Sequence, residues 1–419
     1  MRSPSSEVRP AEAAAGIGAL FAGRRRVAIF LYGSVAFLYW ASLYTYVPTL
    51  PTYAATLTPD LVLIGTILSM YGLWQALARL PVGIASDWLG RRKPFIAGGL
   101  ALSAFGALVM AGARTPQALL VGRSITGLSA ATWVPLTVIF SSLYPAEQAV
   151  QATTTLTLMS AVARVFATAA TGPLNAAGGY SLAFFVAAVL AAMGIVLVLI
   201  AGEIRRPAQA PTARGIARLA SRRDVLLPAL LSVVANYVLQ GLGFGFVALM
   251  AKDLGAADSV ISNLTVIHLA VYTPSVLATA FLLKRFDKRP LLLAGFLALA
   301  LGAACGAVAN SIAWLLAVQV LLAIGYGLCY PILMGMSIEW VDGAERATAM
   351  GVHQSVYALG MFAGPWLSGI IAARIGMQPM FAVTAVATLM LGVPGIFWAT
   401  QGRGRREGSD ASGLRTRPR

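Results

Sequence analysis

Gly83-Ile84-Ala85-Ser86-Asp87-Trp88-Leu89-Gly90-Arg91-Arg92-Lys93-Pro94 separates two long apolar runs, residues 61–85 and 94–113. Three consecutive cations cannot rest in hydrocarbon, where a single arginine costs at least ~2.5 kcal/mol. Gly90 suits a tight reversal, because it lacks the Cβ that disfavours positive φ. The stretch therefore reads as a charged turn between two helices that leave and re-enter an apolar layer. The rest of the chain has the same character: 58% hydrophobic, 11% charged, mean hydropathy +0.78. A soluble domain carries about a quarter charged residues, so most of this chain must face lipid.

Working outward, twelve apolar runs can be drawn: 27–48, 61–85, 94–113, 117–141, 152–176, 181–201, 225–250, 259–283, 290–308, 312–338, 348–372 and 379–399. About 20 residues at ~1.5 Å each cross a ~30 Å hydrocarbon layer. Only helices are expected, since every backbone group in lipid needs an internal partner. The predicted fold is an all-α polytopic membrane protein with twelve transmembrane helices in two pseudo-symmetric six-helix bundles, 27–201 and 225–399. Residues 1–26 and 400–419 are expected as tails and 202–224 as a basic linker, with a short interfacial helix over 215–223. Two echoes support the repeat. Pro-Ala-Glu147-Gln matches Gly-Ala-Glu345-Arg, and Thr-Gly172-Pro173-Leu matches Ala-Gly364-Pro365-Trp.

The net charge of +16 raises the question of nucleic acid, and its placement answers it. With twelve spans, nearly all of the 31 basic residues fall in the two tails, the linker and the loops on one side. Arg114, Lys252 and Arg374 lie on the other side, and Arg79, Arg123 and Arg164 lie within spans. Cationic loops stay in the cytoplasm, so an inner-membrane protein with both termini cytoplasmic is expected, with no nucleic-acid partner.

The opening stretch resembles the signature of the major facilitator superfamily, Gly-x-x-x-Asp-(Arg/Lys)-x-Gly-Arg-(Arg/Lys). Gly83, Asp87, Gly90, Arg91 and Arg92 match it, and Trp88 stands where the family usually has a base. The resemblance implies a conformational latch in which Asp87 meets a helix N-terminus and Arg91. Arg123 and Gly127 resemble the family's Arg-x-x-x-Gly pattern in the fourth helix, associated with proton coupling in its antiporters. Arg79-x-Pro81-x-Gly83 is similar both to efflux branches and to nitrate/nitrite porters. Together these imply a rocker-switch secondary transporter, two bundles moving about a central site.

Buried charges should mark that site, because an arginine in lipid must face a cavity or a partner. Arg164 sits near the middle of its span, and Arg123 is a candidate for both cavity and coupling. None of the fifteen acids lies mid-span, which leaves His268 and His353 as candidate proton carriers. Asn236 with Gln240, His268 with Tyr272 and His353 with Tyr357 recur four apart, one helix face each. With Gln354, Tyr326, Tyr32 and Tyr44 they complete the expected cavity.

No phosphate-binding loop, metal cluster or nucleophile constellation is present, so no cofactor and no enzymatic activity are expected. Gly241-Leu-Gly243-Phe-Gly245 follows no strand, which excludes a dinucleotide fingerprint. Three readings stay open. They are proton-linked efflux of a small organic solute, exchange or symport of a small anion, and a non-transporting membrane sensor. A monomer in the bilayer is expected.

Overall fold

A computed structural model describes residues 10–145, 148–203, 212–342 and 345–401. Glu147, the linker prolines Pro207 and Pro211, the first nine residues and the tail from 402 onward lie outside the described residues. Every regular element among the described residues is helical. The first half holds α1 (Pro10–Tyr44), α2 (Leu50–Leu57), α3 (Leu61–Trp88), α4 (Lys93–Ala111), α5 (Pro116–Ala130), α6 (Trp133–Ser141) and α7 (Ala149–Ile200). Next come α8 (Ala213–Ser221), α9 (Arg223–Val238), a π-helical segment Leu239–Phe246 and α10 (Val247–Asp253). The chain ends with α11 (Asp258–Leu282), α12 (Lys288–Ala307), α13 (Ile312–Ile338), α14 (Arg346–Ile375) and α15 (Met377–Thr400).

Eleven helical stretches are long and apolar enough to span a membrane. One of them belongs to α7, whose 52 residues would measure more than twice a ~30 Å hydrocarbon layer. Its backbone leaves helical geometry at Gly178 (φ −153°) and Gly179 (φ +68°). Contacts show that the chain reverses there. Met159 packs on Gly33 and Ala201 accepts from Lys93 Nζ on the basic side, whereas Asn175 meets Thr49 on the opposite side. α7 thus supplies two crossings, and the total is twelve.

Three details depart from uniform spans. The fourth crossing breaks at Ala131–Thr132 between α5 and α6, the seventh widens into the π segment, and α2 fills the first loop on the opposite face. The expected linker helix is observed as α8, with Leu219 buried against Val225, Val341 and Ala349 and Arg218 paired with Glu345.

Within each half the helices approach through small residues. A Cβ on Gly106 would sit 2.9 Å from the Gly122 carbonyl, and one on Gly325 would sit 2.7 Å from the Gly295 carbonyl. These contacts join the equivalent pairs α4–α5 and α12–α13, as expected where packing rather than hydrophobic exclusion holds helices together. Large apolar side chains such as Phe30, Phe105, Phe166 and Met390 face outward. The halves meet mainly where α3 packs on α14 and α7 packs on α11.

The charged turn packs against its own half. Gly90 has φ +61°, so the reversal uses the conformation that glycine permits. Asp87 Oδ1 pairs with Arg92 Nη2 at 2.7 Å, and Arg91 is exposed. The amides opening α4 donate to another acid: Lys93 N lies 3.0 Å from Glu203 Oε1, which also accepts from Arg92 N. Lys93 Nζ donates to the carbonyls of Leu199 and Ala201, both at 2.8 Å. Gly83 has only Val134 near its absent Cβ, at 3.5 Å, so no close helix approach depends on it in this state.

Candidate functional site

Between the halves lies a cavity of about 230 Å³. The first half lines it with Trp40 and Tyr44 from α1, Tyr71, Gln75 and Arg79 from α3, Trp133 from α6, and Thr157, Ser160 and Arg164 from α7. The second half adds Asn236, Leu239, Gln240 and Phe244, then His268, Leu269 and Tyr272 from α11, Tyr326 and Tyr330 from α13, and Gln354, Tyr357 and Met361 from α14. No carboxylate is among these lining residues.

Two guanidiniums give the space its charge. Arg164 Cζ lies 4.9 Å from the Trp40 ring and 5.7 Å from the Tyr44 ring, and Nε donates to the Ser160 carbonyl one turn back at 3.2 Å. Nε is spent inside its own helix and Tyr44 stands beside the guanidinium, which faces the cavity. Arg79 is more committed. Nη1 donates to Tyr357 Oη at 2.7 Å across the interface between halves, and Nη2 donates to Gln75 Oε1.

The facing wall is a tyrosine ladder. Tyr272 and Tyr326 have centroids 5.6 Å apart, Tyr326 and Tyr330 stack at 5.5 Å, and Tyr330 meets Tyr357 edge-on at 6.0 Å. Tyr326 Oη donates to Asn236 Oδ1 at 3.2 Å, and Asn236 Nδ2 donates to the Ser232 carbonyl at 2.9 Å. His268 lies 5.3 Å from Phe244, and its Nδ1 is 3.2 Å from the Gln319 carbonyl. A carbonyl only accepts, so Nδ1 carries the hydrogen and the neutral ring keeps its lone pair on Nε2.

The structure thus gathers Arg164, Tyr44, Asn236, Gln240, His268, Tyr272, Tyr326, Gln354 and Tyr357 around one space. It places three other predicted residues elsewhere. Arg123 stacks on Tyr71 at 4.2 Å and lines a separate, smaller void. Tyr32 donates to the Gly202 carbonyl at 3.1 Å near the basic face. His353 is fully buried between Ser337 Oγ (2.6 Å from Nδ1) and Ser232 Oγ (3.2 Å from Nε2), outside the cavity.

Sequence reasoning passed over Tyr71, Gln75, Trp133, Thr157, Ser160 and Phe244. Gln75–Arg79 and Ser160–Arg164 repeat the four-residue spacing that flagged the second half, so that signal was present. Trp133 and Phe244 owe their positions to the α5–α6 break and the π segment, which no periodicity encodes.

The sequence model of the Major Facilitator Superfamily matches residues 32–247 and 229–418. The chain belongs to that superfamily. It is a multi-pass membrane transporter of a small solute, and the superfamily's members are not enzymes. Solved structures agree on the fold. The nucleoside transporter NupG aligns with TM-score 0.73 and 19% identity over 88% of this chain and 98% of its own. A bacterial homologue of the human lysosomal transporter Spinster, in an inward-facing and occupied conformation, aligns with TM-score 0.76 and 14% identity over 90% and 97%. A POT family transporter in complex with 5-aminolevulinic acid aligns with TM-score 0.76 and 11% identity over 89% and 96%. At these identities the likeness concerns the fold alone. The inner membrane transport protein YajR of Escherichia coli (strain K12) is 41% identical over 68 residues, 16% of this chain and 15% of that protein.

Proposed function

We propose that this transporter carries a small organic anion across the inner membrane by alternating access, with its basic loops and both termini in the cytoplasm. One observation carries the reading: the Arg164 guanidinium opens onto a cavity lined by two arginines and no carboxylate. A low-dielectric chamber with uncompensated positive charge favours a negative solute. The aromatic walls suit its carbon body, because cavities bind largely through apolar and aromatic surface with a few polar anchors. The Asn175–Asp258 bond between α7 and α11 supports closure on the face away from the basic loops. Rocking of the two halves would exchange access from one side to the other.

Proton-linked efflux is the form of this reading that His268 favours. It is the one imidazole lining the cavity, and its fixed Nδ1–H leaves Nε2 to accept a proton. No carboxylate among the lining residues offers an alternative carrier.

The test is reconstitution into proteoliposomes with a panel of radiolabelled organic anions, neutral analogues and cations, with and without a pH gradient. Saturable movement of anions alone, stimulated by the gradient, is expected. Arg164→Ala should weaken solute affinity about ten- to a hundredfold, the loss of a hydrogen bond to a charged group worth ~1.5–3 kcal/mol. Equal transport by Arg164→Ala at matched protein levels would remove the anion reading. Indifference to the pH gradient would remove the proton.

A further inference from the structure

Arg123 stands apart from the other embedded arginines. It is 6% exposed on α5, and its Nε and Nη1 have no hydrogen-bond partner among the described residues. None of the ion pairs formed by the described residues includes it. Its neighbours include the Tyr71 ring, 4.2 Å from Cζ, and Tyr46. Gly127, one turn along, keeps that ring in place. A Cβ there would meet Tyr71 Cα at 2.9 Å, so α5 and α3 lie as close as two backbones allow.

A buried charge without a counter-ion is costly. A cation–π contact returns only part of that cost. Beside the guanidinium lies a small void of about 20 Å³, bordered by Arg123, Tyr44, Gln240, Phe244 and Pro365. A space of ~10–15 Å³ on this measure accepts one water. The void therefore has room for a single particle of about that size and not for a carboxylate with its carbon attached.

We infer that Arg123 and this void form a binding site for one small inorganic anion of halide size, distinct from the organic-anion cavity around Arg164. The ion supplies the missing counter-charge, and the Gln240 amide borders the same space. Tyr44, Tyr71, Gln240 and Phe244 border both spaces, and Tyr44 meets Phe244 edge-on at 6.3 Å from the other half. An ion held here favours the state in which these two rings are closed, because the void exists only while both halves contribute to its wall. The site stands beside the proposed function and does not depend on what the larger cavity carries.

The experiment is thermal unfolding of the purified full chain in detergent, with sodium chloride or bromide titrated against sodium gluconate at constant ionic strength. The wild type should show a rise in unfolding temperature with halide that saturates and is absent in gluconate. Arg123→Gln should lose the rise, and Arg164→Gln should keep it. Identical curves in chloride and gluconate for the wild type overturn the inference. So does a saturable rise retained by Arg123→Gln, and so does loss of the rise in Arg164→Gln alone, which would place the ion in the larger cavity. If Arg123→Gln does not fold, Leu68→Phe, which fills the void and spares the guanidinium, must abolish the rise. Its persistence in that variant overturns the site as well.

Discussion

Asn175 Nδ2 donates to Asp258 Oδ2 at 2.9 Å, and the same amide lies 2.9 Å from Thr49 Oγ1, so one side chain joins both halves at the face opposite the basic loops. Tyr180 Oη approaches the other carboxylate oxygen at 3.5 Å, and Lys252 Nζ stands at 4.0 Å. Asp258 is also the first residue of α11, where a negative charge meets the positive end of the helix dipole. Opening this face must break the cluster. The carboxylate is 20% exposed, so the ~1.5–3 kcal/mol of a charged hydrogen bond is reduced by solvent to about 1 kcal/mol. Asp258→Ala should shift the equilibrium about fivefold toward the state open on this face. Spin labels at Thr56 and Leu254, exposed on the two halves, should report a longer mean distance in the variant. An unchanged distribution would show that the cluster does not hold the gate.

The Arg79–Tyr357 contact acts at the other end and should have the opposite sign. It links α3 to α14 toward the basic face, and both residues are buried. Tyr357→Phe removes the acceptor and keeps the ring, whose centroid is 5.6 Å from Cζ. The loss should be ~1.5–3 kcal/mol, an order of magnitude or more in the population open to the basic face. Labelling of a Thr157→Cys variant by an impermeant maleimide from that face, with Cys305 and Cys329 replaced, should speed up accordingly. The Asp258→Ala change in the same background should slow it.

Two glycines with equal local crowding should differ in what they control. A Cβ on Gly65 would lie 2.3 Å from the Pro365 carbonyl, across the interface between halves. A Cβ on Gly360 would lie 2.2 Å from the Val233 carbonyl, within the second half. The first contact has to separate during the transport cycle and the second does not. Gly65→Ala should leave the unfolding temperature near wild type and lengthen the Thr56–Leu254 distance. Gly360→Ala should lower the unfolding temperature, because overpacking costs ~1–3 kcal/mol with no alternative state to relieve it.

The fold was legible because lipid leaves few choices. Long apolar runs must be helices, and the clustering of Arg24–Arg26, Arg91–Lys93 and Lys284–Arg289 on one side requires an even number of crossings. The embedded Arg164 marked the cavity for the same reason. What escaped was local backbone geometry. The turn at Ala131–Thr132 and the π segment around Gly241, Gly243 and Gly245 leave hydropathy unchanged, yet they aim Trp133 and Phe244 inward. Burial partners were equally hidden. His268 and His353 look alike as lone histidines in spans, and only packing separates the one that lines the cavity from the one held by two serines.

That separation makes a prediction about the two histidines. His353 bridges Ser232 of α9 and Ser337 of α13 from α14, so it ties three helices of one half together. An interhelical hydrogen bond in a membrane averages ~0.6 kcal/mol, but removing the ring also leaves two buried hydroxyls without this partner, at ~1–3 kcal/mol. His353→Ala should therefore lower the unfolding temperature and the yield while leaving the affinity of the surviving protein for its solute, and the pH profile of transport, unchanged. His268→Gln keeps a donor for the Gln319 carbonyl and removes the titrating ring. It should retain the unfolding temperature and flatten the dependence of transport on pH. Measuring both pH profiles in proteoliposomes assigns the roles. A flattened profile in the His353 variant with a normal one in the His268 variant would reverse them.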